Sequence, residues 1–75
     1  MTGHQYAVIL VHSTSHAIRA EKLLHRAGVA CKMIPVPRHL SSDCGVCLRL
    51  ERTETAAARE VLQAAGMDLV GVHDI

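Results

Sequence analysis

The stretch QYAVILVHSTSHAIRAEKLLHRAGVACKMIP, residues 5–35, decides the fold. Its opening, Gln5 to Val11, is apolar and rich in β-formers. From Tyr6 onward it hardly alternates, which predicts a strand buried on both sides or in the middle of a sheet. His12-Ser13-Thr14-Ser15 follows, a run of short hydroxyl side chains able to accept from the orphan N–H groups of a helix start, with Ser13 best placed as the cap. Over Thr14 to Ala27, the residues Ala17, Ala20, Leu24 and Ala27 recur at steps of three and four, while Arg19, Lys22 and Arg26 face elsewhere. Gly28 then stands where a helix ends in a left-handed residue. Val29 to Val36 alternates Val29, Cys31 and Met33 against Ala30, Lys32 and Ile34, so one face packs and the other, marked by Lys32, is wetter. Pro35 and Pro37 cannot donate to a ladder, so this strand ends early or lies at an edge.

The second half repeats this order. A strand is expected from Gly45 or Val46 to Glu51. Thr53 then caps a helix over Glu54 to Ala65, with Ala57, Val61, Leu62 and Ala65 inward, and Gly66 after its end. Met67 to Ile75 supplies the last strand. Both helices close on Ala-Gly followed by an apolar residue, Ala27-Gly28-Val29 and Ala65-Gly66-Met67. The resulting βαββαβ order predicts an α+β fold: a ferredoxin-like sandwich, with an antiparallel four-stranded sheet and two helices on one face. The expected organisation is a single domain over residues 1–75.

The composition narrows the function. At 75 residues the core is thin, because a chain of this size buries only about 60% of the surface that its unfolded form exposes. A net charge of +1 and Tyr6 as the only aromatic residue provide neither a basic field for phosphates nor stacking platforms for bases, so nucleic acid is not an expected partner. The run Tyr6 to Val11 is too short to span a bilayer, and the first residues lack the pattern of a signal peptide. The expected setting is cytoplasmic, without membrane association. Three cysteines in such a setting are expected to remain thiols, since an odd number cannot all pair internally.

The chemistry is concentrated in Pro37-Arg38-His39-Leu40-Ser41-Ser42-Asp43-Cys44-Gly45-Val46-Cys47. Small polar residues leave the Cys44 sulfur accessible and surround it with N–H groups and hydroxyls. Arg38 and His39 supply positive potential for a thiolate, whereas Asp43 opposes it. Cys44 is therefore either a reactive thiol or a turn residue. Cys44 and Cys47 have the spacing of dithiol redox motifs, but those open a helix, and Val46 to Leu50 reads as a strand. A zinc site needs four ligands, and this pair supplies two, leaving a metal-binding module that a second copy would complete as an alternative. No resident metal or cofactor is expected. His12 and His16 lie four apart across the end of a strand and the start of a helix, where they either cap and solvate or add to a site. Free N–H groups there could bind an anion, and the junction becomes part of the same pocket if the Cys44 loop folds to this end. Cys31, between Val29 and Met33 on one strand face, reads as a small core residue.

The stretches Ser13-Thr14-Ser15-His16-Ala17, Ala20 to Leu24, Ala27-Gly28-Val29, Ile34 to Arg38 and Leu40 to Gly45 together resemble a family of small selenium/sulfur (Se/S) carrier-like domains. The most specific element is Pro35-Val36-Pro37-Arg38, then Leu40-Ser41-Ser42 and Cys44-Gly45. The resemblance implies that Cys44 holds sulfur or selenium, as a persulfide or selenenyl sulfide, between donor and acceptor proteins. It also implies that Ser41, Ser42 and Gly45 shape the loop; Arg38 and His39, by their charge, are the candidate helpers that stabilise the anion. Cys47 and Cys31 depart from the pattern, and the thiol of Cys47 could attack a Cys44 persulfide, releasing hydrosulfide and forming a disulfide. The other function class is a non-catalytic interaction or regulatory module, since thin cores and uncovered sheet faces favour homo-oligomers in chains this small.

Overall fold

The computed structural model describes residues 5–40 and 44–75. The elements run β1 (Tyr6–Leu10), α1 (Thr14–Arg26), β2 (Cys31–Pro35), β3 (Val46–Glu51), a 3-10 turn (Arg52–Glu54), α2 (Thr55–Ala64) and β4 (Gly71–Asp74). The four strands form one sheet in the order β2-β3-β1-β4, and every neighbouring pair is antiparallel. This α+β arrangement is compatible with the ferredoxin-like order. β1 lies between β3 and β4, which explains its unbroken apolar run: Ala7, Val8, Ile9, Leu10 and Val11 are all buried, because both faces and both edges are covered.

Strand alternation sorts these residues into two clusters. On one face Ala7, Ile9 and Val11 meet Leu48 and Leu50 of β3, and are covered by Ala17, Ala20 and Leu24 of α1 and Ala58 and Leu62 of α2. Small residues at Ala17, Ala20 and Ala58 bring the helices close to the sheet. On the other face Val8, Leu10 and Cys47 are covered by partly buried Ile34, Val36, Leu40 and Ile75, so the chain leaving β2 folds back over the sheet as a strap. Toward the far end of that face, Arg49 stacks on Tyr6, its guanidinium 4.6 Å from the ring centroid. The strap is short, and the helix layer carries most of the core.

The caps show local sequence at work. The Ser13 side chain accepts from the His16 N–H at 3.2 Å. Gly28 and Gly66 take φ of 82° and 74°, the left-handed conformation that glycine adopts without a Cβ penalty. Each turn is then closed by a bond reaching back five residues, Val29 N–H to the Leu24 carbonyl at 2.8 Å and Met67 N–H to the Leu62 carbonyl at 3.0 Å. Val29 and Met67 are buried, so the residue after each glycine also anchors the helix end in the core.

Three expectations are corrected. Thr53 does not cap α2; residues 52–54 form a 3-10 turn, and the Thr55 hydroxyl donates to the Arg52 carbonyl at 2.8 Å. That shift in phase turns Ala57 outward and Ala58 inward. The strands following the glycines also begin later than expected, at Cys31 and Gly71, because Val29 and Met67 serve as helix anchors before any ladder starts. β2 is an edge strand, as its prolines require, and ends at Pro35. No helix among the described residues is long and apolar enough to cross a membrane.

Candidate functional site

Three connections meet at the end of the sheet where β1 finishes. β3 runs antiparallel to β1, so its first residues lie beside Leu10, and the loop that precedes them ends there. On the other side of β1, the chain entering β4 is fixed by the Val70 N–H donating to the Leu10 carbonyl at 2.9 Å. Between them β1 passes through Val11 and His12 into α1.

Cys44 sits in this corner. Its thiol donates to the Val46 carbonyl at 3.1 Å and to the Val11 carbonyl at 3.5 Å. Its side chain is half-buried against the helix-side cluster. One S–H proton is thus shared between a neighbour in sequence and the last buried residue of the central strand. The sulfur is held against rigid backbone, yet stays accessible from outside.

His12 follows Val11 directly. Its Nε2 lies 3.4 Å from an Asp68 carboxylate oxygen, within range of charge attraction but longer than a tight hydrogen bond. Its ring meets that of His16 edge-on at 6.3 Å between centroids. His16 in turn shares a 2.7 Å contact between Nδ1 and the Ser13 hydroxyl oxygen. Asp68, from the connection into β4, carries no local motif and was not legible as a site residue.

Cys47 has the opposite environment. It is fully buried with Val8 and Leu10 on the strap side of the sheet, whereas Cys44 packs on the helix side. Burial pushes the Cys47 thiol up to about 11, with a smaller push from neighbouring Cys44. At pH 7 a thiol of that acidity is ionised to roughly one part in ten thousand, so Cys47 is a poor nucleophile in the folded chain. The Cys31 thiol is also raised, first by burial and then by nearby Glu21. All three cysteines are thiols rather than disulfides.

The remaining expected residues divide. Arg38 and His39 are exposed in the turn closed by the Leu40 N–H on the Pro37 carbonyl at 3.0 Å. Gly45 is exposed, and its carbonyl accepts from the Val36 N–H at 3.0 Å, tying the strap to the start of β3. Among the described residues nothing lies within 4 Å of where a Gly45 Cβ would stand. Ser41 and Ser42 lie outside the described residues. Among the described residues no group of three or more His, Cys, Asp or Glu side chains could hold a metal ion.

The fold and corner define a small α+β domain that presents one half-buried thiol at a strand–helix junction. The chain belongs to the family described as "Putative Se/S carrier protein-like", whose model matches residues 6–74. No curated protein and no solved structure is significantly similar to it.

Proposed function

We propose that this chain is a sulfur or selenium carrier that holds the transferred atom on Cys44 and passes it between donor and acceptor proteins. The observation that supports it is the seat of Cys44: an accessible sulfur fixed on the Val11 and Val46 carbonyls, in a member of a Se/S carrier-like family. Loading converts Sγ–H into Sγ–S, so Sγ can no longer donate to either carbonyl. The loaded side chain therefore has to give up both carbonyls, and Arg38 and His39, exposed in the turn before the loop, are the candidate cations for the outer sulfur as an anion.

Burial of Cys47 favours the carrier over a dithiol enzyme. A persulfide on Cys44 is discharged internally only if a second thiolate reaches it, and Cys47 is on the opposite side of the sheet and protonated at neutral pH. The same separation weighs against a metal held by this pair.

The test is the intact mass of the reduced protein after incubation with a cysteine desulfurase and cysteine. One added sulfur atom is expected in the wild type, Cys47→Ala and Cys31→Ala proteins, and none in Cys44→Ala. An adduct that persists in Cys44→Ala would overturn the proposal.

A further inference from the structure

The strap side of the sheet carries two cations that take no part in the Cys44 corner. Directly opposite residues of neighbouring strands share a face, and the registers place Lys32 opposite Arg49, Arg49 opposite Val8, and Val8 opposite His73. This row crosses all four strands on the side of the sheet that holds Val8 and Cys47. Lys32 and Arg49 are thus neighbours on adjacent strands, an arrangement in which like charges cost stability. Among the described residues neither forms an ion pair. Lys32 is exposed, whereas Arg49 is half-buried and held by Tyr6, its guanidinium 4.6 Å from the ring centroid. A guanidinium that gives its face to a ring keeps its N–H donors in its own plane, directed at whatever stands beside it. Beside it is a hollow of about 240 Å³ lined by Tyr6, Cys31, Lys32, Arg49, Leu50 and Glu51. The hollow lies toward the end of β3, whereas Cys44 precedes the start of that strand, so the two are separate places on the domain.

We propose that this hollow binds a carboxylate group between the Arg49 guanidinium and the Lys32 ammonium. The charges on its lining select that class of anion. Lys32 and Arg49 supply two positive charges and Glu51 one negative, which leaves one positive charge for a single carboxylate to neutralise. Arginine donates to both oxygens of a carboxylate through a parallel pair of N–H bonds, and lysine adds a compact point charge. A phosphate, with close to two negative charges at neutral pH, meets Glu51 as a repelling neighbour. The Tyr6 ring supplies an apolar wall for the carbon stem behind the carboxylate. Such a group stands either on an Asp or Glu side chain of another protein or on a free small acid, and the hollow recognises what the two have in common. Binding relieves the opposition of Lys32 and Arg49, which accounts for two cations in direct register.

The test follows the backbone and guanidinium N–H resonances of the isotope-labelled protein as it is titrated, at constant ionic strength, with sodium propionate, a blocked Ala-Glu-Ala tripeptide and inorganic phosphate. Both carboxylates are expected to give saturable shifts at Tyr6, Lys32 and Arg49 and none at Cys44. Arg49→Gln weakens carboxylate binding about tenfold, as loss of one charged hydrogen-bond partner does. Lys32→Gln, at an exposed position where folding is not at stake, weakens it a few-fold. Glu51→Gln strengthens carboxylate binding and admits phosphate. His73→Gln, across Val8 on the same row, leaves binding unchanged. A tripeptide that binds more tightly than propionate assigns the site to an acidic side chain of a partner protein, and the reverse order assigns it to a free acid; either result supports a carboxylate site. Shifts that do not saturate, that are matched by an Ala-Gln-Ala tripeptide, that are larger with phosphate, or that persist unchanged in Lys32→Gln would overturn the proposal. None of these outcomes touches Cys44, so the carrier function stands or falls by sulfur loading alone.

Discussion

Cys44 and Cys47 are separated by two residues, and the sheet separates their chemistry. Cys44 precedes the first rung of β3, so its side chain is free of the strand's alternation and settles on the helix side, at the rim of the larger cluster. Cys47 is the second residue of β3 and must face opposite to Val46, into the pocket closed by the strap. One sulfur therefore meets the Val11 and Val46 carbonyls at the edge of the core, and the other is packed with Val8, Leu10 and their neighbours. A C-x-x-C spacing says that two thiols are near in sequence. Whether they are partners depends on the element in which the second one stands: a helix keeps both at one end, whereas a strand sends them to different faces.

The largest expected effect tests whether the helix side carries the core. Ile9→Ala removes a fully buried side chain between β3 and both helices and is expected to cost about 2–5 kcal/mol, read as a lower denaturant midpoint. A loss no greater than that of Cys47→Ala, about 1 kcal/mol for a smaller group under a thinner layer, would break the distinction between the two faces.

The second effect concerns polarity under the strap. Cys47→Ser places a hydroxyl in the apolar Val8 and Leu10 pocket and is expected to cost about 1–3 kcal/mol, more than Cys47→Ala. The alkaline arm of stability reports on the same site. Because the folded-state Cys47 pKa lies above that of an unfolded thiol, its contribution is complete below about pH 9 and is lost as the pH rises toward about 11. The stability advantage of wild type over Cys47→Ala should therefore shrink across that window. A difference that is flat in pH would show Cys47 to be in contact with solvent.

The smallest effect sharpens the corner. Ser13→Ala removes the acceptor for the His16 N–H and the contact to its ring, and is expected to cost about 1 kcal/mol of stability, seen in the melting temperature.

Much of the fold was legible because its signals are local. The Ser13 cap, the two positive-φ glycines, the prolines of β2 and the apolar run of β1 each report a constraint satisfied within a few residues. The start of α2 was less legible because Thr53 and Thr55 offer the same hydroxyl, and only the intervening 3-10 turn decides which one is used and which alanine faces inward. At the site, the sequence singled out Cys44 from the small polar residues around it. It gave no sign of Asp68, an ordinary acid in a connection.

By itself, then, the sequence determined the elements, the Ser13 cap and the two glycine helix ends, since hydrogen-bond satisfaction and side-chain period act over a single turn or strand. Only the tertiary structure decided which side of the sheet each thiol occupies, and which residues surround Cys44. Its contact with the Val11 carbonyl spans 33 positions, and the partners of His12 come from both ends of the chain. Such neighbours are set by strand order, and strand order is fixed by how the whole apolar surface can be buried at once.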